Sequence, residues 1–129
     1  MTINVFWDNP QQDIIRQEFN GRWTSDEYVS SVLTMYDMMR PVPHKVHIIV
    51  DMTRTEGLTT RMIAAAPRFN EKLPPNRGLT IGINVPSYLI SIVRIATRIY
   101  PQLGRYLHFA NSVDEAYKII EKFSARIRS

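Results

Sequence analysis

The stretch that decides the fold is Val46-His47-Ile48-Ile49-Val50-Asp51-Met52, which is followed by Thr53-Arg54-Thr55-Glu56-Gly57-Leu58-Thr59-Thr60. Its apolar residues are mostly β-branched, a pattern typical of a strand buried on both faces. We place this strand at the centre of a sheet. Asp51 ends the apolar run, and we expect the polar residues after it to form a loop leading into a helix at about Thr60. Open α/β folds usually bind ligands and partners at such a loop, at the carboxyl end of a central strand.

The length and composition are those of one globular domain spanning 1–129, since 44% of the 129 residues are hydrophobic and 22% are charged. The chain has no cysteine, which excludes disulfides, thiol catalysis and cysteine-bound metals. The first residues lack the basic start and long apolar run of a secretion signal. No segment approaches the roughly 20 apolar residues that a membrane helix needs. We therefore expect a cytoplasmic domain.

The charge balance is basic, with a formal net charge of +4 and a pI of about 9.6. Such a balance would suit an acidic partner. The basic residues are spread along the chain, with local density only at Arg94, Arg98 and Arg105 and in the last predicted helix. Solvated helix faces carry such charges routinely, so this interpretation is favoured over a nucleic-acid or acidic-lipid footprint. Arg94 and Arg98, four residues apart, share a helix face that either binds an anion or, more commonly, faces solvent.

The periodicity divides the chain into five strands and four helices. We predict strands at 3–7, 14–19, 46–52, 79–84 and 106–109, and helices that begin near Thr24, Thr60, Pro86 and Ser112. Thr24 and Ser112 are each followed three residues later by glutamate, the spacing of a helix capping box. Asn20-Gly21 predicts a tight turn after the second strand. The order β-β-α-β-α-β-α-β-α predicts an α/β fold with a mixed, mostly parallel sheet whose first two strands form a hairpin.

This element order and three local features resemble the STAS domain of anti-sigma-factor antagonists and sulfate-transporter tails. The features are Phe19-Asn20-Gly21-Arg22-Trp23-Thr24, Ile48-Ile49-Val50-Asp51-Met52 and Phe109-Ala110-Asn111-Ser112-Val113-Asp114-Glu115-Ala116. The resemblance covers nearly the whole chain. It implies a β-α superhelix and a signalling module of the partner-switching type, which binds a regulatory kinase, an anti-sigma-like factor or a second copy of itself in a dimer. The family's phosphorylated Asp-Ser-x-Gly motif is absent, and Leu58-Thr59-Thr60-Arg61 takes its place.

The predicted partner-binding surface comprises the loop 53–61 and residues at neighbouring strand ends. Its members are Thr53, Arg54, Glu56, Thr59, Thr60, Arg61, Asn84 and Ser87. Thr59 and Thr60 stand at a predicted helix start, where threonine most often caps the free amides. In the second interpretation one of them accepts a phosphate, which the helix N-terminus, Arg54 and Arg61 would stabilise.

The sequence contains no constellation typical of an enzyme or a metal site. Asp51 is expected to accept hydrogen bonds from loop amides at the strand end. None of His44, His47 and His108 is spaced to act with a serine or a second acid, and His44 and His47 point to opposite faces of an extended segment. The five glycines are scattered and form no phosphate-binding loop. We therefore expect no catalysis, no metal and no cofactor.

Two features leave alternatives open. The first helix region carries more large apolar residues than one helix face needs: Trp7, Trp23, Tyr28, Met35, Met38 and Met39. Met38 and, to a lesser degree, Met35 either line a dimer or partner surface or pack under the hairpin. The alternative function is that of a carrier for a small apolar or anionic, lipid-like ligand, with a cavity beneath the second and third predicted helices. Pro67, which should kink the second helix, and the small residues 64–66 would leave room for it.

Overall fold

The computed structural model describes residues 2–56, 74–99 and 101–128. Its elements are β1 Ile3–Trp7, β2 Ile14–Arg22, α1 Ser25–Met39, β3 Val46–Glu56, β4 Arg77–Ile83, α2 Ser87–Ile99, α3 Pro101–Gly104, β5 Leu107–Ala110 and α4 Val113–Arg128. The predicted α/β class, with a mixed and mostly parallel five-stranded sheet, is confirmed. Three of the described helices have 13 or more residues, whereas α3 has four. The helix predicted from about Thr60 lies outside the described residues.

The sheet has the strand order β1-β2-β3-β4-β5, so the strand that begins at Val46 is central, as predicted. β1 is antiparallel to β2, and all other neighbours are parallel. Successive residues of β3 point to opposite faces of the sheet. Ile48 therefore packs in the cluster that contains α1 residues, and Ile49 packs in the cluster that contains α4 residues. Leu89 of α2 packs in a cluster with Phe19, so α2 covers the same face of the sheet as α1.

The paired ends of β2 and β3 are longer than the sequence pattern predicted. β2 continues through Asn20 and Gly21 to Arg22, and β3 continues to Glu56, because these two ends pair with each other in parallel. The register shifts between Glu18 and Asn20, and Gly21 adopts a φ of +66°, which costs glycine little. The predicted tight turn at Asn20-Gly21 and the predicted loop at 53–56 are therefore wrong.

The two helix starts predicted from capping residues, at Thr24 and Ser112, are confirmed. At α1, the Glu27 amide donates to Thr24 Oγ1 at 3.1 Å and the Thr24 amide donates to Glu27 Oε1 at 3.1 Å, which completes the capping box. At α4, the Glu115 amide donates to Ser112 Oγ at 3.1 Å, while the Glu115 carboxylate accepts from the amide of Asn111. Each cap satisfies backbone donors that the first turn leaves free.

Two methionines of α1, Met35 and Met39, belong to the core, and Met38 packs against it. Met35 is 3% exposed and packs in the cluster of Ile15 and Ile48, and the partly buried Met38 contacts the same cluster. Of the two alternatives, packing is confirmed for Met35, and the partner-surface alternative at Met38 stays a prediction. These side chains are covered because α1 packs over the hairpin β1-β2 as well as over the central strand of the sheet.

Candidate functional site

A polar network lies at the carboxyl ends of the central strands. Thr53 donates to Asp51 Oδ1 through its amide at 3.0 Å and its hydroxyl at 2.6 Å, and Asn84 Nδ2 donates to Thr53 Oγ1 at 2.8 Å. Asn84 has a φ of +53°, a left-handed conformation that asparagine tolerates better than most residues. The network joins β3 to the turn between β4 and α2, and so fixes the position at which α2 begins.

The structure brings only some of the predicted partner-binding residues together. Thr53 and Asn84 are in contact. Ser87 follows Asn84 closely in the sequence and is exposed in the first turn of α2. Arg54 and Glu56 are exposed, but they stand on the strand end that pairs with β2 and not on a loop. Thr59, Thr60 and Arg61 lie outside the described residues, so the capping and phosphorylation hypotheses for the two threonines stay predictions.

The outer surface of α2 carries a row of exposed apolar side chains that the sequence interpretation missed. Its members, called here the α2 stripe, are Tyr88, Ile92, Ile95 and Ile99. Their spacings of four, three and four residues place them within an arc of about 60° on the helix, since each residue turns it by about 100°. Ile95 and Ile99 are the most exposed, at 58% and 66%. Ile92, in the middle of the row, is 36% exposed.

One side of the α2 stripe is basic. Arg94 and Arg98 are exposed as predicted, and neither forms an ion pair with a carboxylate in the part of the chain that the structure describes. No acidic residue occurs in Ser87–Ile99. The helix therefore presents an apolar row with positive charge along one edge. The signal for this surface in the sequence was the number of isoleucines, which exceeds what the sheet-facing side of one helix can bury.

His47 is a structural residue at the opposite end of β3. The Leu79 amide donates to His47 Nδ1 at 2.9 Å, and the edge of the ring meets Phe123, with the ring centroids 5.6 Å apart. A Cβ at Gly78 would lie 2.3 Å from Nδ1, so this position must stay glycine for the imidazole to fit. Burial lowers the pKa of His47 below its ordinary value of 6.5, while the charge of Asp13 opposes the shift and that of Lys45 adds to it.

The lowered pKa of His47 predicts a loss of stability on mild acidification. The unfolded chain takes up a proton at this residue near pH 6.5 and the folded chain only at lower pH. The unfolded state therefore binds more protons in that window, and the free energy of unfolding should fall as the pH is lowered from 6.5 through the folded-state pKa. Urea unfolding between pH 7.5 and 5 measures this. His47→Asn, whose side-chain oxygen replaces Nδ1 as acceptor, should lack the slope, and an equal slope in both proteins would contradict the assignment.

The described residues contain no group of three or more histidine, aspartate or glutamate side chains that could hold a metal ion. No helix in the described part of the chain is long and apolar enough to cross a membrane. A scan of protein-family models found no match to this chain, and a search of curated proteins found none either. The α2 stripe and the polar network are therefore the structural features from which a function can be proposed.

Proposed function

We propose that this domain is a non-enzymatic binding module of the STAS type, and that it recognises another protein through the outer face of α2. The observation that carries the proposal is the α2 stripe. A fully buried isoleucine gains about 1.5–3 kcal/mol over an exposed one, so a partner that covers Ile95 and Ile99 gains several kcal/mol. Contiguous exposed apolar surface with a charged edge is typical of protein–protein contacts.

The chemistry of the stripe defines the partner. The spacing of Tyr88, Ile92, Ile95 and Ile99 is that of the contact row in paired helices. The matching surface is an amphipathic helix with aliphatic residues at the same spacing and with aspartate or glutamate opposite Arg94 and Arg98. A second copy of this chain fits less well, because two α2 helices bring only positive charges to the contact.

The polar network supports the same surface by fixing the start of α2. Asn84 and Thr53 hold the β4-α2 turn to β3, which leaves little freedom for the first turn of the helix. A preorganised binding helix loses less conformational entropy when a partner docks. The STAS-like superhelix remains part of the proposal, supported by the sequential strand order and by the crossovers through α1 and α2 on one face of the sheet.

Site-specific photo-cross-linking in the native host tests the proposal. A photoreactive residue at position 95 is expected to give an adduct with one protein species. The same residue at position 121, exposed on α4 on the other side of the sheet, serves as the matched control and should give none. The double exchange Arg94→Glu with Arg98→Glu should remove the adduct at 95, because it reverses the charge along the edge of the stripe.

Four outcomes would contradict the proposal. An adduct with twice the mass of the chain would identify a second copy as the occupant. Equal adducts at positions 95 and 121 would show unspecific contact. An adduct at 95 that persists when both arginine charges are reversed would show that the partner is not recognised through acidic residues. Cross-linking to lipid alone would assign the stripe to a membrane surface.

A further inference from the structure

An apolar cavity of about 330 Å³ lies between α1 and α2 on the surface of the sheet. Its floor is formed by alternate residues of neighbouring strands, among them Ile48, Val50 and Phe109, and its walls include Val32 from α1 and Val93 and Ala96 from α2. Small-molecule sites in proteins begin at about 300 Å³ and are lined mainly by apolar side chains. The size and lining therefore fit a small apolar ligand.

The cavity is basic where it meets Tyr106. Arg77 and Tyr106 both line it, and the guanidinium carbon of Arg77 lies 5.7 Å from the centroid of the Tyr106 ring. Arg105 lies 5.4 Å from the same centroid. In the described residues, neither arginine forms an ion pair with a carboxylate. Two guanidinium groups around one ring thus provide a place for an anion that the described chain does not fill.

A buried polar group also reaches the cavity from β2. Gln17 is 1% exposed and lines the cavity, and its Nε2 donates to Ser31 Oγ at 2.8 Å. The side chain places a polar group in the mainly apolar wall, with which a ligand hydroxyl or amide can form a hydrogen bond.

We infer that the cavity binds a small amphipathic carboxylate, with its apolar body between α1 and α2 and its carboxylate beside Arg77 and Arg105. Charge complementarity selects an anion, and the apolar lining selects an aliphatic or aromatic body. The inference extends the function beyond protein binding, because the cavity and the α2 stripe are on different sides of α2. Neither one requires the other.

Calorimetric titration of the intact domain with straight-chain carboxylates tests the inference. Hexanoate, octanoate and decanoate should bind with a Kd that falls roughly tenfold for each two-carbon extension, until the cavity is full. Decanol, which has the same body without the charge, should bind at least tenfold more weakly than decanoate. Equal binding of acid and alcohol, or no binding of either, would overturn the inference.

Three variants separate the two parts of the site. Arg77→Gln and, independently, the exposed Arg105→Gln should weaken decanoate binding about tenfold and leave decanol unchanged. Ala96→Leu, which fills the cavity, should weaken both probes. If Arg77→Gln and Arg105→Gln each fold and each bind decanoate as tightly as the unmodified domain, the role of the arginines is contradicted. The cross-linking result at position 95 does not depend on any of these outcomes.

Discussion

Replacing Ile95 by aspartate is expected to weaken binding of the partner protein, once cross-linking at position 95 has identified it, about 100-fold or more while the domain stays folded. Ile95 lies in the middle of the α2 stripe and is 58% exposed in the free domain. A central apolar contact typically contributes 2 kcal/mol or more to binding, and a carboxylate at that point must also lose its hydration. A 100-fold change corresponds to about 2.8 kcal/mol. Calorimetric titration with the partner measures the change in Kd.

Leu89 offers a matched control on the same helix. Leu89 is 3% exposed, so Leu89→Ala should cost about 2–5 kcal/mol of unfolding free energy, whereas Ile95→Ala should change it by less than about 0.5 kcal/mol. Urea unfolding of both variants checks the orientation of α2 without any partner. A large loss of stability in Ile95→Ala would mean that Ile95 is part of the core, and the proposed surface would fail.

Replacing Asp8 by alanine is expected to lower the free energy of unfolding by about 3 kcal/mol. Asp8 Oδ1 lies 2.7 Å from Arg16 Nη2, and the Tyr117 hydroxyl donates to the other carboxylate oxygen. Arg16 Nη2 also donates to the Tyr117 hydroxyl at 3.1 Å, so the three side chains join the hairpin β1-β2 to α4. Without Asp8 the partly buried guanidinium has lost its closest carboxylate, and its buried Nε already has no hydrogen-bond partner among the described residues.

A second variant distinguishes the loss of an ion pair from a general loss of packing. Arg16→Met combined with Asp8→Ala removes both charges and should recover most of the stability lost in Asp8→Ala. Tyr117→Phe, which removes only the hydroxyl, should cost about 1 kcal/mol. Urea unfolding of the three variants gives the comparison. A loss below about 1 kcal/mol in Asp8→Ala would show that solvent already stabilises Arg16 in place of the carboxylate.

Local signals in the sequence were sufficient for the architecture. The run Ile48-Ile49-Val50 predicted a buried central strand because a strand covered by helices on both faces needs no polar alternation. Thr24 and Ser112 predicted the starts of α1 and α4 because a capping side chain must precede the first free amides. Both signals act within a few residues, and both predictions are confirmed.

Long-range pairing explains why the strand ends were wrong. Thr53 to Glu56 are polar and resemble a loop, but the backbone groups of Arg54 to Glu56 pair with those of Asn20 to Arg22. Trp23 adds a contact from outside the strand, since its Nε1 donates to Thr55 Oγ1 at 2.9 Å. Such partners are more than thirty residues away in the chain, and no local pattern contains them. The loop that was expected to form the partner surface is therefore partly a strand.

The surface of α2 was missed because periodicity does not fix the rotation of a helix against its sheet. The apolar residues of α2 cover an arc that is wider than the contact with the sheet. Leu89 and Val93 face the sheet, and the part of the arc that contains Ile92, Ile95 and Ile99 faces outward. The cavity could not be predicted for a similar reason, since its lining comes from six strands and helices that only the fold brings together.

Hydrogen exchange of the domain with and without its partner tests most directly whether the α2 stripe is the binding surface. Exchange of the α2 amides, from Ser91 to Ile99, is expected to slow in the complex, because docking opposes the opening of the helix. The amides of α4, from Val113 to Lys122, lie on the other side of the sheet and should exchange at the same rate. Protection confined to α4, or absent from α2 in a complex that is fully formed, would contradict the proposed function.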